Sequence, residues 1–169
     1  MDLAPMPYAV KSATCVVLAS LAMFDICFRR LPNRSVLLVA FLYLVDAALA
    51  RPGIASVAVH LGTAAGAFAL FALLFRFGWM AGGDVKLAAA IFLWAGPAFA
   101  LPVLFIVSLC GLVLGLTALG IALFHRRGWH LDRASLQSVQ MDGVPYGVPL
   151  AIGGVAAVWL PVLTALQLT

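Results

Sequence analysis

The chain holds six aspartates and no glutamate. Any carboxylate chemistry must therefore draw on Asp2, Asp25, Asp46, Asp84, Asp132 and Asp142. Without glutamate there is no HExxH metalloprotease helix and no glutamate general base. Asp2 lies in the N-terminal tail and Asp132 among basic residues, and both read as solvated. Two others stand against long apolar runs. Asp25 falls in Met23-Phe24-Asp25-Ile26-Cys27-Phe28-Arg29-Arg30-Leu31-Pro32-Asn33, and Asp84 follows Ala81-Gly82-Gly83. An acid within a membrane span costs about 2.5–3.5 kcal/mol on insertion scales, so it is a functional candidate by default. Two such acids brought together cannot both ionise easily and share a proton. The ionised member can take a proton from water while the protonated one hydrogen-bonds a scissile carbonyl, which is the chemistry of acid–base hydrolysis.

The elements that must position these acids are membrane helices. The 169 residues are 65% hydrophobic and 9% charged, with a mean hydropathy of +1.14. Soluble domains run nearer half apolar and a quarter charged, so this composition belongs to a polytopic membrane protein. The formal charge of +4 comes from short basic clusters at the ends of apolar runs. They form no stripe, and nucleic-acid binding is not expected. Cys15, Cys27 and Cys110 lie in apolar runs without a CxxC pair and read as small buried hydrophobes, with no metal or disulfide role. The first apolar run ends in Asp25 and arginines rather than a small-residue cleavage site, so it reads as a mature helix.

The expected fold is all-α, a membrane helical bundle of about six transmembrane helices in a single domain over residues 1–169. The spans run near Tyr8–Phe28, Ser35–Ala50, Ile54–Phe75, Asp84–Ala95, Phe99–Phe124 and Val144–Leu166. The second and fourth are short for a full crossing, which fits a tilted helix or a thinned or protein-lined region. Pro52-Gly53, Gly96-Pro97 and Asp142-Gly143 mark turns. Gly111 and Gly115 form a GxxxG pattern expected to serve close helix packing.

Arg29, Arg30, Arg34, Arg76, Lys86, Arg126, Arg127 and Arg133 fall on one side of this topology, and Lys11 and Arg51 on the other. The positive-inside rule makes the first side cytoplasmic and leaves both termini outside. The same count brings Asp25 and Asp84 to one membrane face at similar depth, on different helices. Each acid also has a plain structural reading: Asp84 as a cap on its helix, Asp25 as a partner of Arg29 one turn away. Their coincidence on one face, with Gly82 and Gly83 leaving room for another chain beside Asp84, favours function.

These residues carry a resemblance. Gly82-Gly83-Asp84-Val85-Lys86-Leu87, with a first aspartate ahead of Arg29-Arg30-Leu31-Pro32-Asn33, resembles the small type IV prepilin peptidases of the tight-adherence (Flp) pilus branch. Val144-Pro145-Tyr146-Gly147-Val148-Pro149-Leu150-Ala151 resembles the motif that opens that family's last helix. The likeness covers size, span number, motif order and topology. It implies a GxGD-type intramembrane aspartyl protease of the bacterial inner membrane, with Asp25 and Asp84 catalytic. The implied substrates are prepilins and pseudopilins, which carry a short basic leader before a hydrophobic helix and are cleaved at the cytoplasmic face. Nothing matches the methyltransferase region of larger members, so cleavage without N-methylation is expected, with no cofactor and no metal. Ala81 stands where the pattern has glycine, and one added methyl is expected to be tolerated.

Around the pair, Lys86 lies two positions after Asp84 and would not face it on a regular helix. It reads as an interfacial anchor, or as a group that keeps Asp84 ionised or meets substrate. Pro145, Tyr146, Gly147 and Pro149 are expected to shape the start of the last helix beside the site, and Tyr146 also suits an interfacial belt. Asp142 reads as a turn and cap, Asn33 as the cap of the second span, and Asp46 as a packing or interfacial acid within reach of Arg51. Ser56 and His60 lack the surroundings of a serine protease site. The rival reading is a proton- or cation-coupled transporter, since intramembrane aspartates also carry ions. A non-catalytic assembly subunit is a third. A transporter site belongs near the midplane, whereas these acids fall at one edge.

Overall fold

In a bilayer every backbone donor and acceptor must be satisfied within the protein, and helices do this segment by segment. The computed structural model describes residues 6–126 and 146–167, and within them the chain is helical without strands. The helices are α1 (Met6–Phe28), α2 (Asn33–Ala50), α3 (Ile54–Arg76), α4 (Gly82–Arg126) and α5 (Gly147–Gln167). Among the described residues five helices are long and apolar enough to cross a membrane. The last expected turn, Asp142-Gly143, lies outside the described residues, as do Asp2, Asp132, Val144 and Pro145.

The fourth and fifth expected spans are joined as α4, which breaks at Gly96 with φ 58 and ψ −176. That left-handed φ is open to glycine and unfavourable for other residues, and Pro97 then removes a helical N–H. The chain doubles back at the break. Gly153 of α5 faces Val103 and Val107, while the adjacent Gly154 faces Leu18 and Ile91. A straight helix would hold residues 91 and 103 about 18 Å apart.

The arm of α4 before the break is the most buried stretch among the described residues. Val85, Leu87, Ala88 and every residue from Ala90 to Ala95 are buried. It packs against α2, α3 and α5, and α5 also packs on α1. Surrounded by protein, this arm can be short, because it need not match the bilayer itself. The outer faces of α1, α2, α3 and the second arm of α4 expose large apolar side chains, as a lipid-facing surface does.

Two packing expectations are corrected. Among the described residues no helix packs on the Gly111/Gly115 face: a Cβ at Gly111 would meet only the Tyr146 ring at 3.5 Å, and one at Gly115 would meet nothing within 4 Å. The close approach occurs instead at Gly153 and Gly154, where α5 lies between both arms of α4 and α1. The three cysteines are free, but Cys27 is exposed, because it lies on the outer face of the last turn of α1. Cys15 is half-buried and accepts a hydrogen bond from the Trp159 indole at 3.2 Å.

Candidate active site

Asp25 enters from the last turns of α1, which ends at Phe28. The Asp25 carbonyl accepts the Arg29 N–H at 2.9 Å, and Arg29 then adopts a left-handed φ of 51 that turns the chain away from the helix. The chain re-enters the bundle through Pro32, whose carbonyl accepts the Ser35 and Val36 amides as α2 begins. Asp84 is the third residue of α4 and the acid of its first turn, a place where the helix end favours negative charge. Its amide donates to the Ala81 carbonyl at 3.1 Å.

The two carboxylates, 59 positions apart in sequence order (25 to 84), line one cleft of about 320 Å³. Arg29, Arg30, Leu31, Asn33, Ala81 and Gly83 complete its wall. Each aspartate is only 6% exposed, although both are polar and face this opening. Gly83 permits the approach of the Arg-Arg-Leu segment, since a Cβ there would lie 3.2 Å from that of Leu31. Gly82 is packed more loosely, against the Phe75 ring at 3.4 Å. Ala81, which replaces the motif glycine, sits on the cleft wall.

The start of α5 completes the site. The Gly147 amide donates to Asp25 Oδ2 at 2.8 Å in a buried bond between residues 122 positions apart. Tyr146 precedes it and lines a neighbouring apolar groove of about 540 Å³ between α3 and the second arm of α4. Met80 also lines that groove, while the next residue, Ala81, lines the aspartate cleft. Sequence reasoning placed Gly147 near the site as a shaping residue but missed its bond to Asp25. A glycine at the opening of a helix is the signal, and its partner is invisible without the fold.

The remaining expectations divide. Lys86 donates to Asn33 Oδ1 at 3.1 Å, and Asn33 also lines the aspartate cleft. Asn33 is therefore not a cap: Pro32 occupies that position without a side-chain cap bond, and the Asn33 amide oxygen is engaged by Lys86. Asp46 does not meet Arg51. It accepts both of its short bonds, 2.7 and 2.9 Å, from Lys11 Nζ, because α1 and α2 run side by side there while Arg51 turns off the end of α2 with φ 50. His60 does not pair with Ser56. Its Nδ1 lies 2.9 Å from the Leu93 carbonyl oxygen and its ring stacks on Tyr43. Among the described residues no group of three or more His, Cys or Asp side chains gathers in a metal-binding arrangement.

Fold and cleft define a multi-pass helical membrane protein with two buried acids sharing an opening at one end of the bundle. A family model described as the type IV leader peptidase family matches residues 12–116, more than half of the chain and a stretch that contains both Asp25 and Asp84. The chain belongs to that family, and it is a peptidase. No curated protein and no solved structure matches it.

Proposed function

We propose that this peptidase is an intramembrane aspartyl endopeptidase of the bacterial inner membrane that removes the short basic leader of prepilins and pseudopilins at the cytoplasmic face. The observation that carries the reading is the shared cleft of Asp25 and Asp84. In this mechanism the ionised carboxylate takes a proton from water as the water oxygen bonds to the scissile carbonyl carbon. The protonated carboxylic acid donates to the carbonyl oxygen. Return of a proton to the amide nitrogen breaks the C–N bond and frees the leader. Asp25 and Asp84 are the catalytic pair; Gly83 lets the Leu31 segment pack close beside Asp84, Gly82 lies against the Phe75 ring, and Lys86 acts at a distance through Asn33.

The orientation that supports cytoplasmic cleavage rests on the basic residues, with Arg29, Arg30, Arg34, Arg76 and Lys86 at the aspartate end. Both termini are then outside. We assign residues 1–169 to one membrane domain of the tight-adherence (Flp) branch that cleaves without N-methylating. The transport reading is less well served. Among the described residues the remaining membrane acid, Asp46, is held by Lys11 and does not join the dyad cleft.

The test is reconstitution of the purified protein with a prepilin in liposomes, reading leader removal on a gel. Wild type should cleave, and Asp25→Asn and Asp84→Asn should not. Full processing by either variant rejects the dyad.

A further inference from the structure

The first amide of α5 is an unusual partner for an acid on α1. Tyr146 closes the first turn by accepting the Leu150 amide at 3.2 Å, so Gly147 is the first residue of α5. The amides of a helix's first turn have no intrahelical acceptor. That of Gly147 is satisfied by Asp25 Oδ2. Asp25 needs the contact as well. It sits in the last turn of α1, the end at which a helix disfavours an anion, and it is buried. The start of α5 supplies the opposite end of a helix and a donor that does not reorganise.

Glycine is what allows the approach. A Cβ at position 147 would lie 2.7 Å from the Cβ, Cγ and Oδ2 of Asp25. No larger residue can place its amide there without moving the carboxylate. The bond therefore fixes both the position and the rotation of the Asp25 carboxyl group.

We infer that the backbone amide of Gly147 is a positioning group for Asp25, holding Oδ2 so that Oδ1 faces the cleft as the proton acceptor for the attacking water. This rests on the aspartyl-protease reading and adds a division of labour to it. Asp25 takes the proton, and Asp84 supplies the one that goes to the carbonyl oxygen. The competing explanation is that Asp25 merely caps α5, which would affect folding and not turnover.

The experiment replaces Gly147 by glycolic acid, so that an ester oxygen stands where the N–H was and no bulk is added. Gly147→Ala, which keeps the donor but displaces Asp25, is measured beside it. Prepilin cleavage by liposome-reconstituted protein gives kcat and KM separately, and thermal unfolding in detergent reports folding. A hydrogen bond to a charged group lost only in positioning should lower kcat by roughly 10- to 100-fold with KM within about twofold. Wild-type kcat in the ester variant overturns the inference, whether or not its melting temperature falls. A rise in KM alone also overturns it, since that would make Gly147 a docking element. If Gly147→Ala fails to fold, the ester variant decides. Asp25→Asn serves as the reference: its full activity would sink the protease reading itself, whereas its inactivity beside an active ester variant would sink only the role of the amide.

Discussion

His60 Nδ1 lies 2.9 Å from the carbonyl oxygen of Leu93, the helical acceptor whose regular donor position is occupied by Pro97. A carbonyl can only accept, so the ring nitrogen donates, and this fixes the Nδ1–H form of His60. The histidine thus restores a bond that the break in α4 removes. The missing side chain of Gly96 leaves the space that the His60 ring fills. Tyr43 stacks on the same ring at 5.5 Å and meets Trp94 edge-on at 5.7 Å, so α2, α3 and α4 are tied at this end of the bundle.

His60→Ala should therefore destabilise the protein by about 1–3 kcal/mol, the cost of leaving one buried acceptor unpaired, before any loss of stacking. Gly96→Ala should cost more, since it adds a positive φ penalty to a clash with the ring. Thermal unfolding in detergent measures both. The KM of the folded fraction should not change, because the aspartate cleft lies at the other end.

The Lys11–Asp46 pair offers a cycle. Its Nζ–Oδ1 distance is 2.7 Å, and the two side chains are 14% and 16% exposed. Lys11→Met should cost about 3 kcal/mol by leaving Asp46 uncompensated, whereas Lys11→Met with Asp46→Leu should recover most of that stability. Leader cleavage should persist in both. If the single and double variants are equally unstable, the pair is not the relevant interaction.

Two glycines should respond in opposite directions. Gly154→Ala places a Cβ 2.9 Å from Leu18 and 3.1 Å from Ile91, and should destabilise by about 1–3 kcal/mol. Gly115→Ala meets nothing and should be stabilising by about 0.5–1 kcal/mol through helix propensity alone. Unfolding curves of the two variants, compared with wild type, read the difference directly.

The carboxylates should act as a unit. Asp25→Asn, Asp84→Asn and the double variant should lose prepilin cleavage to the same residual level, since removing either member ends the proton transfer. A double variant far less active than each single one would mean that the acids act separately. Retained melting temperatures would show that the loss is chemical.

The sequence by itself determined that this is a bundle of membrane helices, since apolar runs of span length admit little else in hydrocarbon. It also singled out Asp25 and Asp84, because acids are costly in such runs and the alternation of spans returns both to one edge. It marked Gly96-Pro97 as a turn, since backbone conformation there is local. Partners are another matter. Asn33 and Asp46 were each assigned to neighbours in the chain, and each finds a distant partner instead, Lys86 and Lys11; Gly111, assigned to helix packing, meets the Tyr146 ring. Only the tertiary structure decided that α5 threads between the arms of α4 and α1, which packs Gly153 and Gly154 and brings the Gly147 amide to Asp25. Hydropathy specifies which segments enter the membrane, but lipid and protein interior are almost equally apolar, so it cannot say which faces meet.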